Sequence, residues 1–332
     1  MFRDITNNKQ LVQESLRHSF SHWGHALTFE QYVAEGEKIG KILADDNLTV
    51  RNFALVANDK LLASCEVLER PLYCGGGKYA VDNGVASVFV PDECRRKGYA
   101  ELLINSVVNK YRSSENQLSL WSDVADYYSR CGFRLLDGVK NKVHPTVFVN
   151  SPGSADINSF SSSISFLGIN DMTEIIELHR KQVFALADAG EGNVIVPNAG
   201  SYGQLQNRIL IEEEYLNMSP TTEFGAVVKE DGELKAWMSW GFLLSYKKLI
   251  VMGTSGSSSD IAKLLIMASS VASRIGLHVH LFETTLVGNK LEDVLAELKK
   301  LGADAELKGR EGSWPMVISE HKWVGAGGYG WY

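Results

Sequence analysis

An order of segments that runs through the first half of the chain and returns in the second constrains this fold more than any single residue does. In the first pass, residues 9–20 and 29–43 space their apolar positions as helices do. "FALVAND" (53–59) and "KLLASCEVLER" (60–70) read as a strand hairpin, and Gly75, Gly76 and Gly77 make the next bend flexible. "GVASVFV" (84–90) reads as a strand, 98–111 as a helix, "QLSLWSD" (117–123) as a strand, and "VADYYSRCG" as a short helix closed by Gly132. "FRLLDG" and "PTVFVN" finish the pass as strands, and "NSPGSADINSFSSS" (150–163), broken by Pro152 and Gly153, reads as a linker.

The second pass repeats the plan. "ISFLGI" is a strand, "MTEIIELHRKQVFAL" a helix, and "EFGAVVKEDGELKAWMSWGFLL" a hairpin turning at Asp231 and Gly232. "KLIVMG" (strand), "DIAKLLIMASSVASRIG" (helix), "LHVHLFET" (strand), "LEDVLAELKKLG" (helix) and "WPMVIS" (strand) follow. The expectation is an α/β chain of two domains, 1–150 and 164–332, related by element order and not by residue identity. A length of 332 residues also exceeds what one core of ordinary size holds.

Charge is divided unevenly between these halves. The chain has 33 basic and 40 acidic residues; residues 1–150 carry 18 of each, leaving 15 basic and 22 acidic for the rest. The whole acidic excess lies in the second half, which argues against nucleic acid as a partner and suits a small cationic one, or plain solubility. No apolar run reaches membrane-span length, and "MFRDITNNKQ" lacks the apolar centre of a signal peptide. Cys65, Cys74, Cys94 and Cys131 show neither CxxC pairing nor metal spacing, so reduced thiols in the cytoplasm are expected. The sequence sets no oligomeric state.

One turn carries chemistry. In "VFVPDECRRKGYAELL" a β-branched strand gives way to a helix through Arg95, Arg96, Lys97, Gly98 and, two residues on, Ala100. A helix start offers unpaired N–H groups and a partial positive charge. Gly98 and Ala100 let backbone approach a ligand, and three cations add charge, so the turn suits a pyrophosphate. Neither GxxxxGK[ST] nor GxGxxG is present there.

This stretch resembles the acetyl-CoA motif of the GCN5-related N-acetyltransferase (GNAT) superfamily, [Q/R]-x-x-G-x-[G/A] after a hydrophobic strand, here Arg95, Gly98 and Ala100. "LSLWSDVADYYSRCGFRLL" resembles that family's second motif, a helix ending in Y-x-x-x-G-F, here Tyr128, Gly132 and Phe133. "HWGHALTFEQYVAEGEK", "ASCEVLER" and "WSDVADYYSRCGF" resemble a narrower group, the fungal cytosolic lysine N6-acetyltransferases, which also carry a second acetyltransferase-like domain. The resemblance implies a GNAT fold, a mixed central sheet flanked by helices, followed by a degenerate GNAT-like domain. It implies acetyl-CoA as donor, no metal, and direct transfer to an amine, lysine N6 first. Backbone groups of Val88 and Val90 would pair with the pantetheine arm, and amides from Arg96 through Tyr99 to Ala100 would hold the pyrophosphate. Tyr128 would protonate the leaving thiolate; its plain alternative is a core aromatic.

The acceptor side is less defined. Many histone-directed members carry a glutamate base in the strand before the cationic loop, where this chain has Gly84. Asp82 reads as a solvated turn residue, and Glu66 faces either the substrate cleft or solvent. Asp123 either binds a substrate ammonium or caps the helix after it. Trp23 lies in the loop that borders the acceptor site in this family, and the tail "GAGGYGWY" offers the carboxylate of Tyr332 as a base. His18, His22 and His25 are spaced for a metal but lack nearby carboxylates or thiols. "GTSGSSSD" (253–260) occupies the place of the phosphate loop in the second half without a single Arg or Lys, so no second acetyl-CoA site is expected. A protein amine as acceptor, and a non-catalytic acetyl-CoA-binding protein, are the alternatives.

Overall fold

The computed structural model describes residues 1–58, 60–113, 115–124, 127–136, 145–309, 312–325 and 327. The first half runs β1 (Phe2–Asp4), α1 (Lys9–Trp23), α2 (Phe29–Asp45), β2 (Thr49–Ala57), β3 (Lys60–Tyr73), β4 (Tyr79–Phe89), α3 (Tyr99–Tyr111), β5 (Gln117–Ser122) and β6 (Arg134–Leu135). The second runs β7 (Pro145–Ser151), β8 (Ile164–Leu167), α4 (Met172–Asp188), β9 (Val194–Ile195), α5 (Ala199–Leu216), β10 (Gly225–Glu230) and β11 (Glu233–Leu243). It ends with β12 (Lys248–Ser255), α6 (Ser258–Arg274), β13 (His278–Phe282), α7 (Leu291–Lys300), β14 (Asp304–Gly309) and β15 (Trp314–Ile318). Helix starts follow local chemistry: Thr28 and Gln31 close a capping box at α2, and Asn198 caps α5. Among the described residues no helix is long and apolar enough to cross a membrane.

Two mixed sheets result, but they do not divide at the linker. The first has the order β1-β2-β3-β4-β5-β15-β6, and the second β14-β7-β13-β12-β11-β10-β8. The strand "PTVFVN" therefore does not complete the first sheet. As β7 it sits between β13 and β14, while "WPMVIS", as β15, sits between β5 and β6. Divided as 1–150 and 164–332, each half lends one strand to the other's sheet. The reason is in the side chains: Val147 and Val149 are buried in the core shared with α6 and α7, whereas Met316 is buried in the core under α3. β9 also pairs with the end of β3, through Leu72 with Ile195 and Tyr73 with Val194.

β3 decides what lies on each face of the first sheet, because its side chains alternate. Cys65 and Val67 face the α3 core. Leu68 packs with Ile39 and Leu43 of α2 and Ile211 of α5, and Leu72 joins the core of the second half. Glu66 and Arg70 share that second face by alternation, so they point toward α1, α2 and the second half.

Candidate functional site

β4 and β5 run parallel but pair only from Asp82–Gly84 to Gln117–Ser119, and beyond that register they part. On its other side β4 carries an irregularity against β3 between Ser64 and Glu66, where Ser87 takes a left-handed φ of 51°. Val88 and Val90 pack their side chains on the α3 core, so the backbone between them runs along the open mouth. This is the geometry expected for an extended pantetheine-like arm.

The chain then turns through a short 3-10 segment (Asp92–Cys94) into α3. Arg96 and Gly98 take left-handed φ of 63° and 78°, and a Cβ added at Gly98 would meet open space. Gly98 is the N-cap of α3 and no side chain there supplies a capping hydrogen bond. The first amides of α3 thus face outward with the helix dipole behind them, which fits a pyrophosphate. The cations divide differently from a simple ring of charge. Arg95 donates from Nε to the Val90 carbonyl (3.1 Å), pairs with Asp92 (2.8 Å) and approaches His22 Nε2 (3.2 Å). Lys97 donates to the Glu93 carbonyl (2.9 Å). Both brace the loop, and Arg96 is exposed.

The matching turn of the second half is built otherwise. Ser257 accepts from the Asp260 amide (3.1 Å) and donates to its carboxylate (2.7 Å), which also pairs with Lys263. A helix start closed by its own carboxylate repels a phosphate.

Tyr128 lies in a 3-10 turn, Tyr127–Cys131, where an ordinary helix was expected, and Gly132 with φ 89° ends it. Its ring packs edge-on against Tyr127 and Phe133 in the α3 core. Burial raises its phenol well above the usual range, with Cys65, Tyr127, Cys131 and Asp123 adding in the same direction. The phenol is therefore neutral and able to donate. Tyr128 is a core aromatic whose phenol keeps its proton.

Glu66 is half-buried and accepts a hydrogen bond from Ser87 Oγ (2.6 Å), which ties it to the irregular step in β4. Its charge helps to raise the Tyr32 phenol, whose main cause is burial, and so places Glu66 toward α2. Among the described residues Asp123 is engaged elsewhere than the turn after it. Ser122 Oγ accepts from the Val124 amide, and Asp123 Oδ1 accepts from the Ser313 amide (2.6 Å) and hydroxyl (3.1 Å), latching β5 to the start of β15. Trp23 ends α1, meets Phe89 edge-on and lies near Tyr246 of the second half. The residues Trp331 and Tyr332 lie outside the described set.

Asp82 departs most from its sequence reading as a solvated turn residue. It is fully buried and pairs with Arg70 (2.8 Å), while Ser119 (2.8 Å) and Gln117 (2.9 Å) donate to it. A Cβ at Gly84 would come within 2.9 Å of Arg70 Nη2. Position 84 is a glycine because the guanidinium fills the space where a base would stand. His18, His22 and His25 do not converge: His22 faces Arg95, and His25, with φ 44°, packs on Tyr246. Among the described residues there is no group of three metal-ligating side chains.

The sequence reading also missed a charged junction between α2 and α5. Arg208 Nε lies 3.6 Å from Glu35 Oε1, and Glu35 and Glu212 are both buried. Burial, and then the Glu35 charge, pushes the Glu212 carboxyl up to about 7. Glu35 and Arg208 are far apart in sequence, and no motif signals their contact.

Comparison with known proteins agrees with this geometry. Residues 8–136 match the family model described as an acetyltransferase (GNAT) domain. A lysine acetyltransferase of Yarrowia lipolytica is 21% identical over 318 residues, covering 81% of this chain and 79% of its own. A GCN5-related N-acetyltransferase from Kribbella flavida superposes with a TM-score of 0.55 at 18% identity, over 96% of this chain and 71% of that one. A tandem GNAT protein from the clavulanic acid biosynthesis pathway superposes with a TM-score of 0.54 at 11% identity, over 96% and 98%. At such identities the two structures speak for the fold alone. Residues 8–136 therefore match a GNAT acetyltransferase domain, and the fold of GNAT structures is carried through both halves of the chain.

Proposed function

We propose that this chain transfers the acetyl group of acetyl-CoA directly to the amine of a small cationic acceptor, with the N6 amine of lysine first among candidates. The observation that carries the reading is the uncapped start of α3 behind left-handed Gly98, beside a parted strand pair and a buried neutral Tyr128. Bound acetyl-CoA supplies the activated acetyl group. Amides from Arg96 through Tyr99 to Ala100 would hold its pyrophosphate, and backbone at Val88 and Val90 its arm. Tyr128 holds a proton at its phenol oxygen and donates it to the departing sulfur, general acid help of about 10² to 10⁴-fold.

The acceptor amine must be neutral to attack, and an ammonium of lysine type is mostly protonated at neutral pH. Glu66, oriented by Ser87, is the carboxylate proposed to take that proton, directly or through water. Lysine is favoured because carboxylates gather on this side (Glu35, Glu66 and Glu212) and because the Yarrowia relative carries that name. The four cysteines are free thiols, which suits a reducing cytoplasm.

Following CoA thiol release with acetyl-CoA and a panel of free amines tests the reading. Release that depends on lysine or a related diamine is expected. Tight acetyl-CoA binding without release by any small amine overturns it, in favour of a protein amine or a binding role.

A further inference from the structure

Where α2 packs on α5, two carboxylates and a guanidinium stand at positions that helix packing would fill with apolar side chains. Glu35 continues the buried line of Ile39 and Leu43 one turn toward the start of α2, and Glu212 follows Ile211 on α5, one turn after Arg208. We propose that Glu35 and Glu212 form the seat of a single positive charge: a proton fills it in the empty chain, and the non-reacting ammonium of the acceptor displaces that proton on binding. The proposal rests on the acetyl-transfer reading and adds how that site selects and admits its acceptor.

Three observations carry it. The first is unmet hydrogen bonding. Glu35 and Glu212 are only 4% and 8% exposed, yet Glu35 Oε1, Glu212 Oε2 and Arg208 Nε are buried without a hydrogen-bond partner among the described residues. Arg208 Nε stands 3.6 Å from Glu35 Oε1, beyond hydrogen-bond reach. Buried polar atoms are ordinarily satisfied, and an ammonium, with three N–H donors, satisfies two carboxylates at once. A seam that only joined two helices gains nothing from buried charge, since apolar residues of similar volume there are often as stable or more so.

The second is charge balance. Arg208 balances one carboxylate and not two. The other must hold a proton or meet a second cation, and either choice leaves the seam neutral. Burial, then the Glu35 charge, raises the Glu212 carboxyl to about 7, with Arg208 opposing and Glu213 adding. Glu213 is held by the amide and hydroxyl of Thr221, and Lys38 pairs with Glu214 (3.0 Å) outside the seam.

The third is position. Beyond burial, the phenol of Tyr32, one turn before Glu35, feels Glu66, Arg208 and Glu35 together. The Arg208 charge also reaches His25 and Tyr246, whose rings meet edge-on at 6.2 Å. The seam therefore adjoins both Glu66 and the loop after α1. An acceptor that brings its reacting amine to Glu66 has its other charge at Glu35 and Glu212.

The test pairs binding with turnover. Calorimetry on the CoA-bound full chain, in buffers of different ionisation enthalpy, counts the protons released as N-acetylcadaverine binds; that molecule bears one ammonium and one acetylated nitrogen. Close to one proton per molecule is expected at about pH 6 and almost none at about pH 8.5, with Glu212→Gln releasing none at either. No release from the full chain, or equal release from Glu212→Gln, overturns the proposal. In turnover, cadaverine is expected to exceed pentylamine by about tenfold or more in kcat/KM, and Glu212→Gln and Glu35→Gln to remove most of that preference through a higher KM for cadaverine. Equal use of cadaverine and pentylamine by the full chain overturns the seat and leaves acetyl transfer standing. Release with neither overturns the acetyl-transfer reading, and this proposal with it. Thermal melts check that both variants fold, and where one does not, the other decides.

Discussion

Gly98 joins conformation to chemistry in a single residue. Its φ of 78° turns the chain into α3 so that the first amides point away from the protein, and nothing crowds the space above it. Gly98→Ala meets no clash but pays a left-handed penalty of about 1–2 kcal/mol. Titration calorimetry is expected to show acetyl-CoA affinity falling about tenfold; unchanged affinity would mean that the α3 start is not the pyrophosphate site. Arg95 and Lys97 were legible as cations but not as braces, because their acceptors are the carbonyls of Val90 and Glu93, which any sequence supplies. The Gly84 gap was visible in the sequence, yet its cause was not. Arg70 fills it from β3, and a strand pattern does not say which side chain crosses beneath a neighbour.

At the scale of elements, strong periodicity was enough for α1, α2, α3, α4, α6 and α7 and for most of the strands. α5 went unread for a physical reason. Gly200, Ser201, Gly203, Gln204, Gln206, Glu212 and Glu213 are all buried on it, so it has no single apolar stripe for a period of 3.6 to reveal. Its packing against α2 predicts a pH effect. Glu212, facing Glu35, Arg208 and Glu213, has its carboxyl raised from 4.5 to about 7, so the folded chain keeps that proton longer than the unfolded chain does. Stability from this group is whole below about pH 4.5 and is lost as pH rises through about 7, by on the order of 3 kcal/mol. Denaturant melts across pH 5–8 should show that decline and show it flattened in Glu212→Gln; an equal slope in both proteins would remove Glu212 as its source.

The whole molecule is held together by exchange. A two-domain chain was legible from the returning order of elements, but the ownership of β7 and β15 was not, because alternation tells which face of a strand is buried and not which sheet it joins. With β15 between β5 and β6, a fragment ending at residue 136 leaves β5 with an unpaired edge in the middle of its sheet. That fragment is expected to lack a cooperative thermal transition, and the full chain to melt in a single one; a cooperative melt of residues 1–136 alone would contradict it. The same exchange draws Ser313 against Asp123 and so joins the start of β15 to the end of β5. The central claim is that Tyr128, buried and neutral, protonates the leaving sulfur during transfer to a small amine. Its most direct test is lysine-dependent CoA release by the full chain and by Tyr128→Phe, with acetyl-CoA affinity measured alongside. The account predicts kcat lower by about 10² or more in Tyr128→Phe with affinity within about twofold; equal kcat in the two proteins would contradict it.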